Sequence, residues 1–471
     1  MSTTHETASS GLYRFIWRWH FYAGLIVAPF LILLALTGGL YLFEREIDGL
    51  LHRKVVHVQA RGEPSPVSQQ ETAVRAAYPG ATIGRVALPT AADRASEFGV
   101  TTSDGRALAV FVDPATASVT GAVPDSARLT SILSALHGEL MIGRVGDLIV
   151  ELAASWGFIL LTTGLFLWWP RSGRKAGVVT PRLDAKGRAF WRDLHAVPAM
   201  WTAPVIAFLI LTGLPWSGFW GDNLARLGTV QALAPIMAPT PNFSAAPNAP
   251  PHHAPSSTAL DDLPHADELP WAVRHAGLPI ALVQTGHDHS EHVLPPAALT
   301  VDAVVAMAEE RGMKEAGLRI FYPRGESGVF TASFVPDRAE DQRTLHVDPR
   351  DGTILADIGW AQYSPLGKIV EFGVMTHLGR QFGLTNQLIL AAVCASFVAI
   401  IGAGLWMWWR RRPKGRIGTP PGPHGFRLGT VAIAIAVLLG ILFPLAGVSM
   451  LLTAAADWLW TKTRRDGAMA G

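Results

Sequence analysis

The sequence predicts a membrane all-α bundle of about five transmembrane helices, built as a duplicated unit and carrying two small α+β domains outside the membrane. Three observations carry that prediction. Apolar runs recur at about 20–43, 147–169, 196–220, 385–409 and 428–456, and roughly 20 apolar residues are enough to cross a bilayer as a helix. Short loops rich in Lys and Arg follow two of these runs. Finally, residues recur at fixed offsets, the mark of an internal repeat.

The composition agrees. Of 471 residues, 49% are hydrophobic and 16% charged, well under the roughly 25% charged of a soluble domain. The net charge of +2 supplies no basic surface for nucleic acid, and the basic residues cluster beside the apolar runs. The one cysteine, Cys394, excludes an internal disulfide and any cysteine-built zinc or iron–sulfur site. The first apolar run is too long for a signal-peptide core and lacks a small-residue cleavage site, so it reads as a retained helix.

In chain order, 1–43 is the N-terminus and first span, and 44–135 the first extramembrane domain. Residues 136–169 hold an interfacial helix and the second span. The loop 170–195 carries Arg171, Arg174, Lys175, Arg182, Lys186, Arg188 and Arg192, and leads to the third span at 196–220. Residues 221–297 form a linker rich in Pro, Ala and His, and 298–375 the second domain. An interfacial helix and the fourth span fill 376–409, and 410–427 is a loop with Arg410, Arg411, Arg412, Lys414, Arg416 and Arg427. The fifth span, 428–456, and a tail, 457–471, follow. Short basic loops belong to the cytoplasmic side, which puts both large segments in the periplasm of a bacterial inner membrane. Trp168-Trp169 and Trp408-Trp409 suit the membrane–water interface.

The two extramembrane segments follow one plan. A short helix at 70–78 and a strand at 108–112 precede Asp113-Pro114. A helix at 301–311 and a strand at 328–335 precede Val347-Asp348-Pro349, which matches Val112-Asp113-Pro114 at an offset of 235. Asp351-Gly352 marks a turn.

The repeat in the membrane part singles out four histidines. At an offset of 175, His20 falls on His195 and Thr37-Gly38 on Thr212-Gly213. At 240, His137 falls on His377, Gly143 on Gly383, Gly164 on Gly404 and the Trp pairs on each other. Matched positions on duplicated helices can face each other across a bundle, and paired imidazoles suit the axial positions of haem b, which needs no cysteine attachment. His20 with His195 makes a cytoplasmic-side pair, and His137 with His377 a periplasmic-side pair. Arg18 and Arg192 lie near the first, Arg144 and Arg380 near the second, and guanidinium groups match haem propionates. Taken singly, each His is an ordinary interfacial residue and each Arg an ordinary inside-positive charge. From His137 to Trp168 is too far for one crossing helix (roughly 46 Å at 1.5 Å per residue), so a turn is expected near Gly143 or Gly146. The linker holds a second cluster, His287, His289 and His292 beside Asp288 and Glu291. It could bind Cu, Zn or Fe, although a solvated loop is the plainer reading.

Several motifs together resemble the PepSY-associated transmembrane family: Trp17-Arg18-Trp19-His20, Leu36-Thr37-Gly38-Gly39, Leu136-His137-Gly138-Glu139, Trp168-Trp169-Pro170, Trp191-Arg192-Asp193-Leu194-His195 and Phe443-Pro444-Leu445. The resemblance covers most of the chain and implies that the two extramembrane segments are PepSY-like. It further implies kinship with iron-regulated inner-membrane proteins and siderophore–iron reductases that bind two b haems. The His-rich linker departs from the family pattern, which keeps copper or another metal open as substrate.

No Gly-rich dinucleotide fingerprint follows a strand, and neither basic loop could hold a flavin or NAD domain. The expected partners are membrane lipid, a ferric siderophore or metal ion, and an electron donor that is a quinol or a redox protein. Two further readings stand beside the haem reductase. One is a non-redox, membrane-anchored PepSY module that binds or regulates a partner. The other is a permease, disfavoured because few ionisable residues fall in mid-span.

Overall fold

Hydrophobic length decides the helical part of the molecule. In the computed structural model, four helices among the described residues are long and apolar enough to cross a membrane, with spans Gly11–Tyr41, Arg144–Trp168, Arg188–Trp216 and Gly383–Arg411. The structure describes residues 2–60, 62–170, 177–228, 269–274, 299–325, 328–415 and 430–469, together with residues 236 and 418. The helices are α1 (Ser2–Tyr41), α2 (Glu44–Leu51), α3 (Arg53–Val56), α4 (Val67–Ala77), α5 (Leu129–Glu139), α6 (Arg144–Trp168), α7 (Arg188–Gly213), α8 (Gly218–Gly228), α9 (Trp271–Arg274), α10 (Val301–Glu309), α11 (Pro365–His377), α12 (Gly383–Arg411), α13 (Thr430–Leu442) and α14 (Pro444–Met469). The chain divides into a helical unit (1–40, 134–221 and 389–471) and a sheet unit (41–133 and 222–388).

The helical unit packs small residues against large ones, as lipid-embedded helices do. Val27, Leu31 and Ala153 form one buried cluster, and a side chain at Gly157 would come within 3.1 Å of Leu31. Between α5 and α6 the chain turns through Leu140, Met141 and Gly143, all at positive φ. This breaks what would otherwise be an over-long helix.

The segment expected to form the fifth span is not one helix. It divides at Phe443-Pro444 into α13 and α14, because proline lacks the N–H that would continue the ladder and its ring blocks the preceding turn. The backbones of Gly440 and Gly447 meet, a side chain at Gly447 coming within 2.8 Å of the Gly440 Cα. On a continuous helix those residues would be about 10 Å apart, so the chain folds back here. The bend is buried. Phe443 packs with Ile159, Leu214 and Ala446, its ring 5.1 Å from that of Phe158. Trp220 Nε1 donates to the Leu442 carbonyl (2.9 Å) and Trp156 Nε1 to Ser449 Oγ (3.0 Å). With 13 residues, α13 reaches about 20 Å, short of the ~30 Å hydrocarbon core.

The sheet unit also differs from expectation. The two segments expected as separate domains make one eight-stranded antiparallel sheet of order β4-β3-β2-β1-β5-β6-β7-β8. Its strands are β1 (Thr82–Ala87), β2 (Ser96–Thr101), β3 (Ala107–Asp113), β4 (Ser118–Pro124), β5 (Leu318–Phe321), β6 (Phe330–Phe334), β7 (Arg343–Val347) and β8 (Ile354–Gly359). The halves join through β1 and β5, with Val86 opposite Ile320. Pairing these strands removes two open edges, each otherwise a row of unsatisfied N–H and C=O groups. The order reads alike from both edges. Each Val-Asp-Pro proline accepts the backbone N–H of the segment entering a helix, Pro114 from Ser65 (2.7 Å) and Pro349 from Leu299 (2.9 Å).

Alternation along the strands buries both faces. Val110 and Val112 face α4 and α10, with Val86, Phe98, Ile320, Leu345 and Val347. Ala109 and Phe111 pack on Val55 and Val56. On that second face, the other half is covered by Leu269, Trp271, Ala272 and Val273 packed with Tyr363 and Val370. Glu371 of α11 accepts the Ala272 N–H at 2.9 Å.

Candidate cofactor-binding histidines

Four helices bring His20 and His195 together. His20 lies on α1 and His195 on α7, and their ring centroids are 6.5 Å apart with planes at 81°. Each imidazole is oriented by a different neighbouring helix. Thr163 on α6 donates its hydroxyl proton to the Ile159 carbonyl at 2.7 Å, so its oxygen accepts from His20 Nδ1 at 2.9 Å. His195 Nδ1 donates to the Ile400 carbonyl of α12 at 2.8 Å, an atom that can only accept. With the proton on Nδ1, the Nε2 lone pair of each neutral ring is left to bind a metal. A second-shell acceptor on the other nitrogen is the usual way to orient a ligating histidine.

The opposing helices make room with glycine. A side chain at Gly164 would lie 3.3 Å from His20 Cε1, and one at Gly404 3.2 Å from His195 Nδ1. The offset of 240 that relates these glycines also relates Thr163 to Ala403. Alanine has no hydroxyl, so His195 reaches the helix carbonyl directly where His20 uses a threonine.

His137 is held in a similar way. Thr37 donates to the Leu33 carbonyl at 2.8 Å, and its oxygen lies 3.0 Å from His137 Nδ1. A side chain at Gly38 would come within 2.9 Å of His137 Cε1. Burial pushes the His137 imidazole below its ordinary pKa, against a smaller opposite effect of its hydrogen bond to the Leu34 backbone. Thr37-Gly38, found in the sequence as a repeated dipeptide, therefore packs on a histidine. His377 ends α11. It belongs to the sheet unit, whereas His137 belongs to the helical unit.

The four expected arginines each have a protein contact. Arg18 lies 5.6 Å from the Tyr22 ring centre. Arg192 pairs with Asp193 at 2.7 Å, and Arg182 holds the same carboxylate. Arg144 reaches Asp147 at 3.4 Å and the Gly218 carbonyl at 3.2 Å, and Arg380 pairs with Glu44. A guanidinium has five N–H donors, so these contacts leave capacity for an anionic ligand. The cluster of His287, His289 and His292 lies outside the described residues.

The structure adds residues that sequence reasoning missed. Thr163 is adjacent to the repeated Gly164, which was its only signal. Glu151, within α6, is 1% exposed. Its Oε2 accepts the N–H groups of Phe219 (2.8 Å) and Trp220 (3.2 Å) at the start of α8, while Asp147 accepts that of Gly218 (2.9 Å). These carboxylates, one turn apart, dock the N-terminus of α8 on α6.

Two imidazoles that share an iron through Nε2 have ring centres about 6 Å apart, given metal–nitrogen bonds of roughly 2 Å and roughly 1 Å more to each centre. The observed 6.5 Å fits. Among the described residues no third His, Cys, Asp or Glu joins the pair to make a metal-binding group. Equatorial ligands from a porphyrin would complete such a site. The family model described as PepSY-associated TM region matches residues 17–411, which include all four histidines. No curated protein matches the chain.

Proposed function

The chain belongs to the PepSY-associated TM region family, and from that premise we propose that it is a di-haem b oxidoreductase of the bacterial inner membrane, passing electrons to ferric iron on the periplasmic side. The observation that carries the reading is the His20–His195 pair, with both Nδ1 atoms tied to helix acceptors. Haem b, when bound, supplies a one-electron Fe(III)/Fe(II) couple.

The chain's own part is ligation and orientation. Thr163 and the Ile400 carbonyl fix the ring planes of His20 and His195, and Gly164 and Gly404 admit the imidazoles close to the opposite backbones. Asp193 ties Arg192 and Arg182 beside this pair. The sequence pairing assigns the second haem to His137, oriented by Thr37, and His377. The basic loops put His20 and His195 toward the cytoplasm by the positive-inside rule. Electrons would enter there from a quinol or a redox protein.

The substrate on this reading is Fe(III) bound to a siderophore. Hard oxygen ligands hold Fe(III) in preference to Fe(II), so reduction releases the metal. Copper or another metal is a second substrate class, motivated by His287, His289 and His292. Protein purified from haem-replete cells should be coloured, and the dithionite-reduced form should lose its reduced spectrum on addition of a ferric hydroxamate as Fe(II) appears. A colourless preparation returns the protein to the class of non-redox binding modules. A coloured one that reduces Cu(II) but not Fe(III) changes the substrate alone.

A further inference from the structure

The two halves of the sheet unit can be aligned by their helix starts and strand register, and two buried positions then differ in chemistry. α4 begins at Val67 and α10 at Val301, so Gln70 corresponds to Val304. Ser96 pairs with Val112 and Phe330 with Val347, the valines of the two Val-Asp-Pro motifs, so Ser96 corresponds to Phe330. Val304 and Phe330 are ordinary members of the hydrophobic core. Gln70 is 2% exposed and Ser96 0%, yet among the described residues Gln70 Oε1 and Ser96 Oγ have no hydrogen-bond partner. Leaving such a group buried and unpaired is costly, because its desolvation is not offset.

Both residues line a cleft of about 410 Å³, within the roughly 300–1,000 Å³ of small-molecule sites. The Gln70 amide is oriented by its own contact. Nε2 donates to the Ser65 carbonyl at 2.9 Å, so Oε1 is the atom left to accept. Asp113 and Glu315 add carboxylates, and no Lys, Arg or His is among the described lining residues. Burial raises the Glu315 pKa, and Glu309 and Glu63 raise it further, so negative charge is crowded at this end of the cleft. Leu88, Pro89 and Pro114 belong to its apolar wall.

We propose that this cleft is a binding site for a small organic cation, a primary ammonium carried on a short alkyl chain. The ammonium has three donors and no acceptor, which suits the Gln70 and Ser96 oxygens and the two carboxylates, and the methylenes suit the apolar wall. The site does not depend on the haem assignment.

The probe is 1,5-diaminopentane, titrated calorimetrically into the full-length protein in detergent, with pentanoate and pentan-1-ol as anionic and neutral probes of the same chain length. The diamine should bind and the other two should not. Replacing the pair by the residues of the second half, Gln70→Val with Ser96→Phe, should weaken diamine binding by at least about tenfold and leave the visible spectrum unchanged. Glu315→Gln, a surface-compatible change, should weaken it several-fold, and it decides the matter if the double variant does not fold. No diamine binding, equal or tighter binding of pentanoate, or unchanged affinity in Glu315→Gln and the folded double variant would each overturn the proposal.

Discussion

In the helical unit, His20 and His195 occupy matched positions, and each gives its Nδ1 proton to a neighbouring helix. In the sheet unit, matched positions have parted: Gln70 and Ser96 stand opposite Val304 and Phe330, and Glu97 stands opposite Thr331. The difference follows from what each position has to do. On the proposed reading, one haem takes two like ligands, so a change at one histidine would remove half the ligation. A sheet core needs only filled space, and either half can fill it with its own side chains. The first half uses an ion cluster, with Glu97 held by Arg85 (2.6 Å) and Arg128 (2.9 Å). The second uses a neutral pair, His346 Nδ1 with Thr331 Oγ1 at 2.9 Å.

The largest stability effect should come from breaking the ion cluster. Glu97→Gln takes away a carboxylate that pairs with Arg85, which is 2% exposed, and removing one partner of such a pair costs about 3–5 kcal/mol. Burial acts to raise the Glu97 pKa, but Arg85 and Arg128 outweigh it and hold the carboxyl down to about 2. A folded-state pKa below the unfolded value means that the stabilisation is present above the ordinary carboxylate range and is lost as the pH falls toward 2. Thermal unfolding should show that acid limb in the wild type and lose it in Glu97→Gln. Thr331→Val, its counterpart, should cost much less; equal losses would remove the contrast between the halves.

Glu371 has no acidic counterpart, since the matching position in α5 is Ser131. Burial pushes its carboxyl up to about 7. The folded protein therefore binds a proton that the unfolded chain releases near pH 4.5, so stability declines as the pH rises from about 4.5 to about 7. The whole step amounts to about 3 kcal/mol. Glu371→Gln should flatten that slope. Trp271 emission reports the packed segment, and a slope unchanged in the variant would assign the pH dependence elsewhere.

Smaller still is the effect of giving the first half the core of the second. Gln70→Val with Ser96→Phe removes two unpaired buried atoms and should raise the melting temperature, by the equivalent of about 1–2 kcal/mol. A drop of that size would mean that the cleft cannot accept the phenylalanine that its counterpart holds. The smallest effect is expected at Thr163→Ala, which copies Ala403. His20 Nδ1 can then turn to a helix carbonyl, as His195 does, so haem content should be kept and only the midpoint potential should move. Loss of the haem would show that the two histidines are not oriented equivalently.

How much of this was legible in the sequence depends on the kind of signal. The four long spans are written in hydropathy, and His20 with His195 in a fixed offset, so both could be found without coordinates. Pro444 was visible, but a run of apolar residues on either side hid the bend, since hydropathy does not report chain direction. The pairing of β1 with β5 joins residues more than two hundred positions apart, and no local pattern encodes it. β1, β2, β4, β5, β7 and β8 went unassigned: β2 and β7 bury consecutive residues and the edge strands β4 and β8 are half-buried along most of their length, so the alternation that marks a strand is lost. Thr163 acts through a hydroxyl in an otherwise apolar run, and Gln70 reads as one more polar residue on a helix until its burial is known.

The central claim is that His20 and His195 hold one haem between them and that His137 and His377 belong to a second. The direct measurement is haem per chain, with the absorbance of the reduced protein, in wild type, in the four single alanine variants and in the His287, His289 and His292 triple variant. The account predicts two b haems in wild type, and loss of the same haem in His20→Ala as in His195→Ala. The other haem should be lost in His137→Ala and in His377→Ala, and both should be kept in the triple variant. Full haem retention in His195→Ala, or equal loss in the triple variant, would contradict it.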